Sequence, residues 1–199
     1  MTFIFLADGV VSYDMPQGEQ RGLELHFADA TYDGVIDNDY LSGGLGQFVD
    51  GEEGQSNFRV DPLNLGMKGY NWIGWRNESF PNGYVDIIFK FDGVRNFSSV
   101  LLHCNNMFSR DVRVFSMARI YFSGIRSGER VFDLTPLEYF YAKDDLIEYA
   151  RPVKIALENG VGQFVKIQLY FETKWIMISE VQFVSGIDLS VLSQLSFSV

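Results

Sequence analysis

The chain has 199 residues, which suits one large domain and leaves too little for two independent ones. Hydrophobic residues make up 47%, aromatics 16% and charged residues 21%, so general disorder is excluded because the apolar area offsets chain entropy. The net charge of −10 argues against a nucleic-acid partner, whose phosphates call for a basic patch.

In chain order, Met1–Ala7 has no basic start, and its apolar run is too short for a secretory leader. The expectation is a cytosolic protein or a true start upstream of Met1. Next comes the strongest compositional anomaly. Residues 24–61 hold nine acids (Glu24, Asp29, Asp33, Asp37, Asp39, Asp50, Glu52, Glu53 and Asp61) against one base, Arg59. The remainder, with 17 acids and 15 bases, is nearly neutral.

Beyond the acidic block the apolar period is 2. Val85, Ile87, Phe89 and Phe91 share one face of Tyr84–Phe91, and Asp86 and Lys90 the other. Val165, Ile167, Leu169 and Phe171 do the same in Val161–Phe171, and Trp175, Met177, Val181 and Phe183 in Trp175–Phe183. That phase turns Glu180 outward. Leu23–Phe27, Phe97–Cys104, Met117–Ser123 and Arg151–Leu157 are shorter segments of the same kind, and a short helix is expected within Asp133–Tyr149. β-Branched and aromatic residues favour strands, and 19 glycines supply turns. Seven or eight antiparallel strands predict an all-β fold, an antiparallel sandwich of jelly-roll type with few or no helices. The expected domain covers residues 8–186. Residues 187–199 form a divergent tail expected to be disordered. No apolar run approaches the roughly 18 residues of a bilayer span, so no direct membrane insertion is expected.

Enzyme signatures are missing: there is no Gly-x-Ser-x-Gly elbow, no Gly-Lys-Ser/Thr phosphate loop and no His-Glu-x-x-His. His103 and Cys104 are adjacent on a predicted strand and point to opposite faces, so they form no dyad. The lone Cys104 also excludes an intrachain disulfide and a cysteine-rich zinc site. Gly43, Gly44 and Gly46 read as a tight turn rather than a phosphate cradle. The acidic block reads either as solvated surface or as a loop folded down by Tyr32, Tyr40, Phe48 and Phe58. Crowded carboxylates in a folded loop repel unless a cation neutralises them, and oxygen ligands of this kind suit calcium. The spacing of Asp33, Asp37 and Asp39 is not that of an EF-hand. Asn77-Glu78-Ser79 and Asn96-Phe97-Ser98 are glycosylation sequons.

An ordered series of strings carries a family resemblance. It comprises Ala30-Thr-Tyr-Asp-Gly34, Gly43-Gly-Leu-Gly-Gln47, Asp50-Gly51, Tyr70-Asn-Trp-Ile-Gly-Trp75, Asn77-Glu-Ser-Phe80, Asn82–Val85, His103-Cys-Asn-Asn-Met107 and Trp175-Ile-Met-Ile-Ser-Glu180. The series resembles the second extracellular, discoidin-like domain of the discoidin domain receptors, collagen-activated receptor tyrosine kinases. The resemblance implies a jelly-roll β-sandwich that binds calcium through positions matching Ala28, Gln47, Asp50, Glu52, Tyr70, Trp72, Ser179 and Glu180. The family tends to have asparagine at Ala28 and an apolar residue at Glu52, and both positions here can contribute a main-chain carbonyl. Its internal disulfide has no counterpart, the aligned region near Ile167 being apolar. Asn77 matches a family glycosylation position and ranks above Asn96.

The resemblance further implies a non-catalytic module on the extracellular side of the plasma membrane, within a dimeric parent receptor. Its direct partner would be the preceding discoidin domain, with collagen engaged only through that parent. The competing expectation is a carbohydrate-binding module using Tyr70, Trp72 and Trp75 as a stacking platform, against which core packing of these rings is the plainer account. Nothing specific supports a hydrolase.

Overall fold

The computed structural model describes residues 9–64, 66–126 and 129–187. The predicted tail beyond Ile187 therefore lies outside the described residues. The described strands are β1 (Val10–Pro16), β2 (Gln20–Arg21), β3 (Leu25–His26), β4 (Val35–Asp37), β5 (Tyr40–Gly44), β6 (Ile73–Arg76), β7 (Tyr84–Cys104), β8 (Met117–Arg126), β9 (Glu129–Phe132), β10 (Leu137–Phe140), β11 (Arg151–Tyr170) and β12 (Trp175–Ile187). Helix appears among them only as single 3₁₀ turns at Gln47–Val49, Asn77–Ser79 and Phe108–Arg110.

All ladders between these strands are antiparallel, in the order β10-β8-β11-β7-β1-β5-β4, with β12 on β7 and β6 on β12. Separate sequence segments fuse here: Tyr84–Phe91 and Phe97–Cys104 are one strand, as are Arg151–Leu157 and Val161–Phe171. The fused pair β7–β11 runs through both layers of one curled sheet, bending where its register slips around Gly160 and Gly162. Such bulges let a twisted sheet turn a corner.

Because β11 occupies one edge of β7 throughout, β1 and β12 share the other edge end to end. Val10 pairs with Phe91, and Ile187 with Arg95. The first and last described strands therefore meet at one corner. Arg95 clasps that corner, donating to the Asp92 carboxylate at 2.9 and 3.1 Å and to Ser185 Oγ at 3.2 Å.

The interior follows the period-2 reading. Val85, Ile87, Phe89 and Phe91 are buried on one side of β7, and Val165, Ile167 and Leu169 on β11. Phe89, Phe91, Phe97 and Phe183 meet ring to ring with centroids 4.7–5.8 Å apart. Each such ring stabilises the fold by roughly 1.5–3 kcal/mol. A satellite core of Phe27, Phe58, Trp72, Val112, Trp175 and Met177 lies apart from it.

No helix forms within Asp133–Tyr149. The segment contributes β10 to the sheet edge, with Leu137 and Tyr139 against the core, and then a loop. Once paired with β8, Leu137-Glu-Tyr-Phe140 alternates in burial as a strand does, although Phe140 faces solvent. The glycines Gly43 and Gly44 end β5, while Gly46 starts the 3₁₀ turn at Gln47, so they do not make one tight turn.

Candidate metal centre

The acidic segment is folded down by its aromatic residues. Phe48 enters the main core and meets Trp75 at 6.0 Å, and Phe58 enters the satellite core against Phe27 at 5.7 Å. Tyr32 is half-buried, and only Tyr40 is exposed. Asn38 and Asp39 occupy the left-handed region (φ 48° and 58°), closing the β4–β5 hairpin with a two-residue turn that these short polar side chains tolerate.

The loop after Phe48 is drawn against β12. Gly51 N–H donates to Glu180 Oε2 at 3.1 Å, and Gly54 N–H donates to Ser179 Oγ at 3.0 Å. Glu52 N–H donates to the Asp50 carboxylate at 2.8 Å. The outward placement expected for Glu180 is not what forms. The β12–β7 register slips between Ile178 and Glu180, every residue from Trp175 to Val181 is buried, and Glu180 is only 4% exposed beneath the acidic loop. Strict alternation fails at this bulge and in the strand's covered half.

This placement has an electrostatic consequence. Burial, assisted by the neighbouring Asp50, Glu53 and Glu52 carboxylates, pushes Glu180 up to about 8. Burial also pushes Asp50 upward, with Glu52 and Asp29 adding to it.

Four expected ligand residues, Gln47, Asp50, Glu52 and Tyr70, line one cleft of about 370 Å³ together with Pro62, Leu63 and Asn71. The Gln47 amide spans it, its Nε2 donating to the Tyr70 carbonyl and its Oε1 accepting from Ala30 N–H at 2.8 Å. Ala28, Trp72, Ser179 and Glu180 do not line this cleft. Ser179 and Glu180 reach the same loop from β12, and Ala28 precedes the Asp29 that bonds Gln47. Trp72 is tied in through His103, on which it stacks at 5.5 Å. Among the described residues no three His, Cys, Asp or Glu side chains converge as a metal cluster. A cation here would therefore need main-chain and amide oxygens.

Three residues of this neighbourhood, His103, Glu53 and Asp29, were not legible as site residues. His103 Nδ1 lies 2.7 Å from Ser179 Oγ, and its Nε2 lies 3.6 Å from Glu53. The row imitates a nucleophilic triad, but Ser179 is 1% exposed and its oxygen already accepts Gly54 N–H, so no substrate reaches it. Burial lowers the His103 pKa against the pull of Glu53. Cys104 is buried with its thiol pushed far up, so it is unreactive. Trp72 and Trp75 are 1% and 0% exposed, which removes the proposed sugar-stacking platform: these rings are core.

The sequence model described as discoidin domain-containing receptor 1/2, DS-like domain matches residues 9–185. The chain belongs to this family. This DS-like domain is 33% identical to mouse epithelial discoidin domain-containing receptor 1 over 90% of the chain and 20% of that protein. It is 35% identical to Caenorhabditis elegans discoidin domain-containing receptor tyrosine kinase B over 90% of the chain and 21% of that protein. The chain thus spans about a fifth of the curated relatives it matches. Among solved structures, the F5/8 type C domain of a Bacteroides fragilis protein aligns with a TM-score of 0.43 at 13% identity, over 69% of this chain and 77% of that one. A family 32 carbohydrate-binding module of Clostridium perfringens in complex with galactose aligns at 0.41 and 12%, over 69% and 88%. The DS-like domain is not a kinase domain, and among its described residues no helix is long and apolar enough to cross a membrane.

Proposed function

We propose that this DS-like domain is a non-catalytic, calcium-stabilised module on the extracellular side of a discoidin domain receptor tyrosine kinase. The buried Glu180 beside Asp50 carries the calcium part of the reading: Glu180 on β12 accepts Gly51 N–H from the acidic loop, and both it and Asp50 are shifted upward by burial and by neighbouring carboxylates. Oxygen donors in flexible loops suit calcium, which accepts main-chain carbonyls. Gln47, Asp50, Ser179 and Glu180 would offer side-chain oxygens, and Ala28, Glu52, Tyr70 and Trp72 carbonyls. Gln47 would have to turn its amide oxygen toward the Tyr70 carbonyl side. The bound ion would neutralise the loop and lock it to β12.

The domain's role is to brace a preceding discoidin domain and couple it to the membrane, with collagen bound by the parent, dimeric receptor rather than by this chain. Asn77 carries the glycan: it is exposed in the 3₁₀ turn after β6, whereas Asn96 sits half-buried in β7 with strands on both sides.

Thermal unfolding with calcium and with excess chelator tests the metal. A rise in Tm with calcium that disappears in Asp50→Ala is expected, and an equal Tm in both buffers would remove the ion. A pull-down with triple-helical collagen peptide tests the division of labour, which tight binding by the isolated chain would overturn.

A further inference from the structure

Asp29 lies outside the expected ligand set, yet it is 3% exposed and carries its carboxylate beneath the acidic loop. The donors on that carboxylate are neutral: the Tyr13 hydroxyl, Gln47 N–H at 3.1 Å, Thr31 N–H at 3.3 Å and the Thr31 hydroxyl at 3.5 Å. Its main chain is pinned by Gln17, whose amide oxygen accepts Asp29 N–H at 2.8 Å and whose Nε2 donates to the Asp29 carbonyl at 3.3 Å. Gly46 passes so close that a Cβ there would fall 2.5 Å from both carboxylate oxygens. The chain accepts a glycine and a pinned turn in order to seat this one carboxylate.

A buried carboxylate held by neutral donors keeps much of its desolvation cost. Its placement points to where that cost is recovered. Asp29 bonds the main chain of Gln47, at the start of the turn that delivers Asp50, and its charge is felt at Asp50. Ala28 beside it has no polar side chain.

We infer that Asp29 is the positioning and charge-supplying residue of the cation site, fixing the Gln47–Val49 turn and adding a negative charge behind the ligands. The inference rests on the calcium reading above. A divalent ion held by Gln47 and Asp50 would be drawn in by Asp29 without touching it, while Tyr13 keeps the carboxylate from turning away.

The test is a calcium titration by calorimetry of wild type, Asp29→Asn and Tyr13→Phe, with the Tm of each in chelator. Asparagine still accepts from Gln47 and Thr31, so the expected result is a calcium affinity at least tenfold weaker with the chelated Tm held or raised. Tyr13→Phe is expected to weaken binding by a smaller factor. Equal affinity in wild type and Asp29→Asn would overturn the inference while leaving the calcium site intact. A chelated Tm that falls in step with affinity would make Asp29 an internal brace and overturn it equally. Wild type that binds no calcium would remove the calcium reading itself, and this inference with it.

Discussion

Two acid-rich loops of this domain solve the same electrostatic problem in opposite ways. In residues 143–150 each acid meets a partner from the protein. Asp144 takes Arg151 at 2.5 Å and also accepts Leu146 and Ile147 N–H, Asp145 takes Arg113 at 2.6 Å, and Glu148 takes Ser109 N–H and Oγ. The Arg151 pairing and the two N–H groups pull Asp144 down to about 2. Around Glu180 the neighbours are other carboxylates, and burial drives the shift upward. Loop 143–150 is neutralised from within, so it turns its polar groups inward and leaves Leu146 90% exposed. Asp50 and Glu180 instead accept the main-chain N–H groups of Glu52 and Gly51 and lie among other carboxylates, a setting that the proposed calcium ion would neutralise.

The largest expected effect separates the two loops by calcium. Chelation lowers the melting temperature by about 5–15 °C, the shift that binding at 100–1,000 times Kd gives a domain of this size. Glu180→Gln keeps an acceptor for Gly51 N–H and removes the buried charge. It is expected to melt at or above wild type in chelator and to gain nothing from calcium. A chelated Glu180→Gln that melts well below wild type would break the contrast.

Next in size is Arg151→Ala, which strips Asp144, the Ile147 carbonyl and the Tyr149 ring of one partner. A fall of about 3–6 °C is expected, equal with and without calcium. A fall that calcium abolishes would show the two loops to be coupled.

The pH dependence sharpens the comparison because its signs are opposite. Glu180, raised from its ordinary 4.5 to about 8, binds more protons folded than unfolded between those values. The stability it contributes in chelator is therefore full below pH 4.5 and is lost as pH rises through about 8. Asp144, lowered from 3.8 to about 2, contributes stability present above 3.8 and lost as pH falls through about 2. Urea midpoints across pH should show both slopes, with Glu180→Gln flattening the upper one and Arg151→Ala the lower. A chelated midpoint constant between pH 5 and 8 would contradict the Glu180 placement.

The smallest effect is expected at the surface. Asn77→Gln should remove one glycan from protein made in a secretory host and change stability by no more than about 0.5 kcal/mol. An unchanged gel mobility would move the glycan elsewhere.

Much of the fold was legible in the residues, because alternation with period 2 records which face a strand buries. Val85 through Phe91 and Val165 through Leu169 needed nothing more. The family strings were equally legible, since they are local. What alternation could not carry was anything set by a partner distant in sequence. Whether Tyr84–Phe91 and Phe97–Cys104 are two strands or one depends on β11 running along both. Residues 133–149 had too little periodicity to choose between a helix and an edge strand until β8 was in place.

The candidate site divides along the same line. Composition alone marked residues 24–61 as an acidic block that could be either solvated surface or a folded loop, and sequence strings alone pointed to the family, whose resemblance implied Asp50, Gln47 and Glu180 as oxygen donors. Only the tertiary structure decided that Glu180 is buried rather than exposed, since that follows from a one-residue bulge on β12 and a loop 129 residues away folding over it. It alone brought Asp29, Glu53 and His103 to the site, because a side chain's pKa and partners are set by what surrounds it in space. Period and composition are properties of neighbours along the chain, whereas burial of charge is a property of contacts across it.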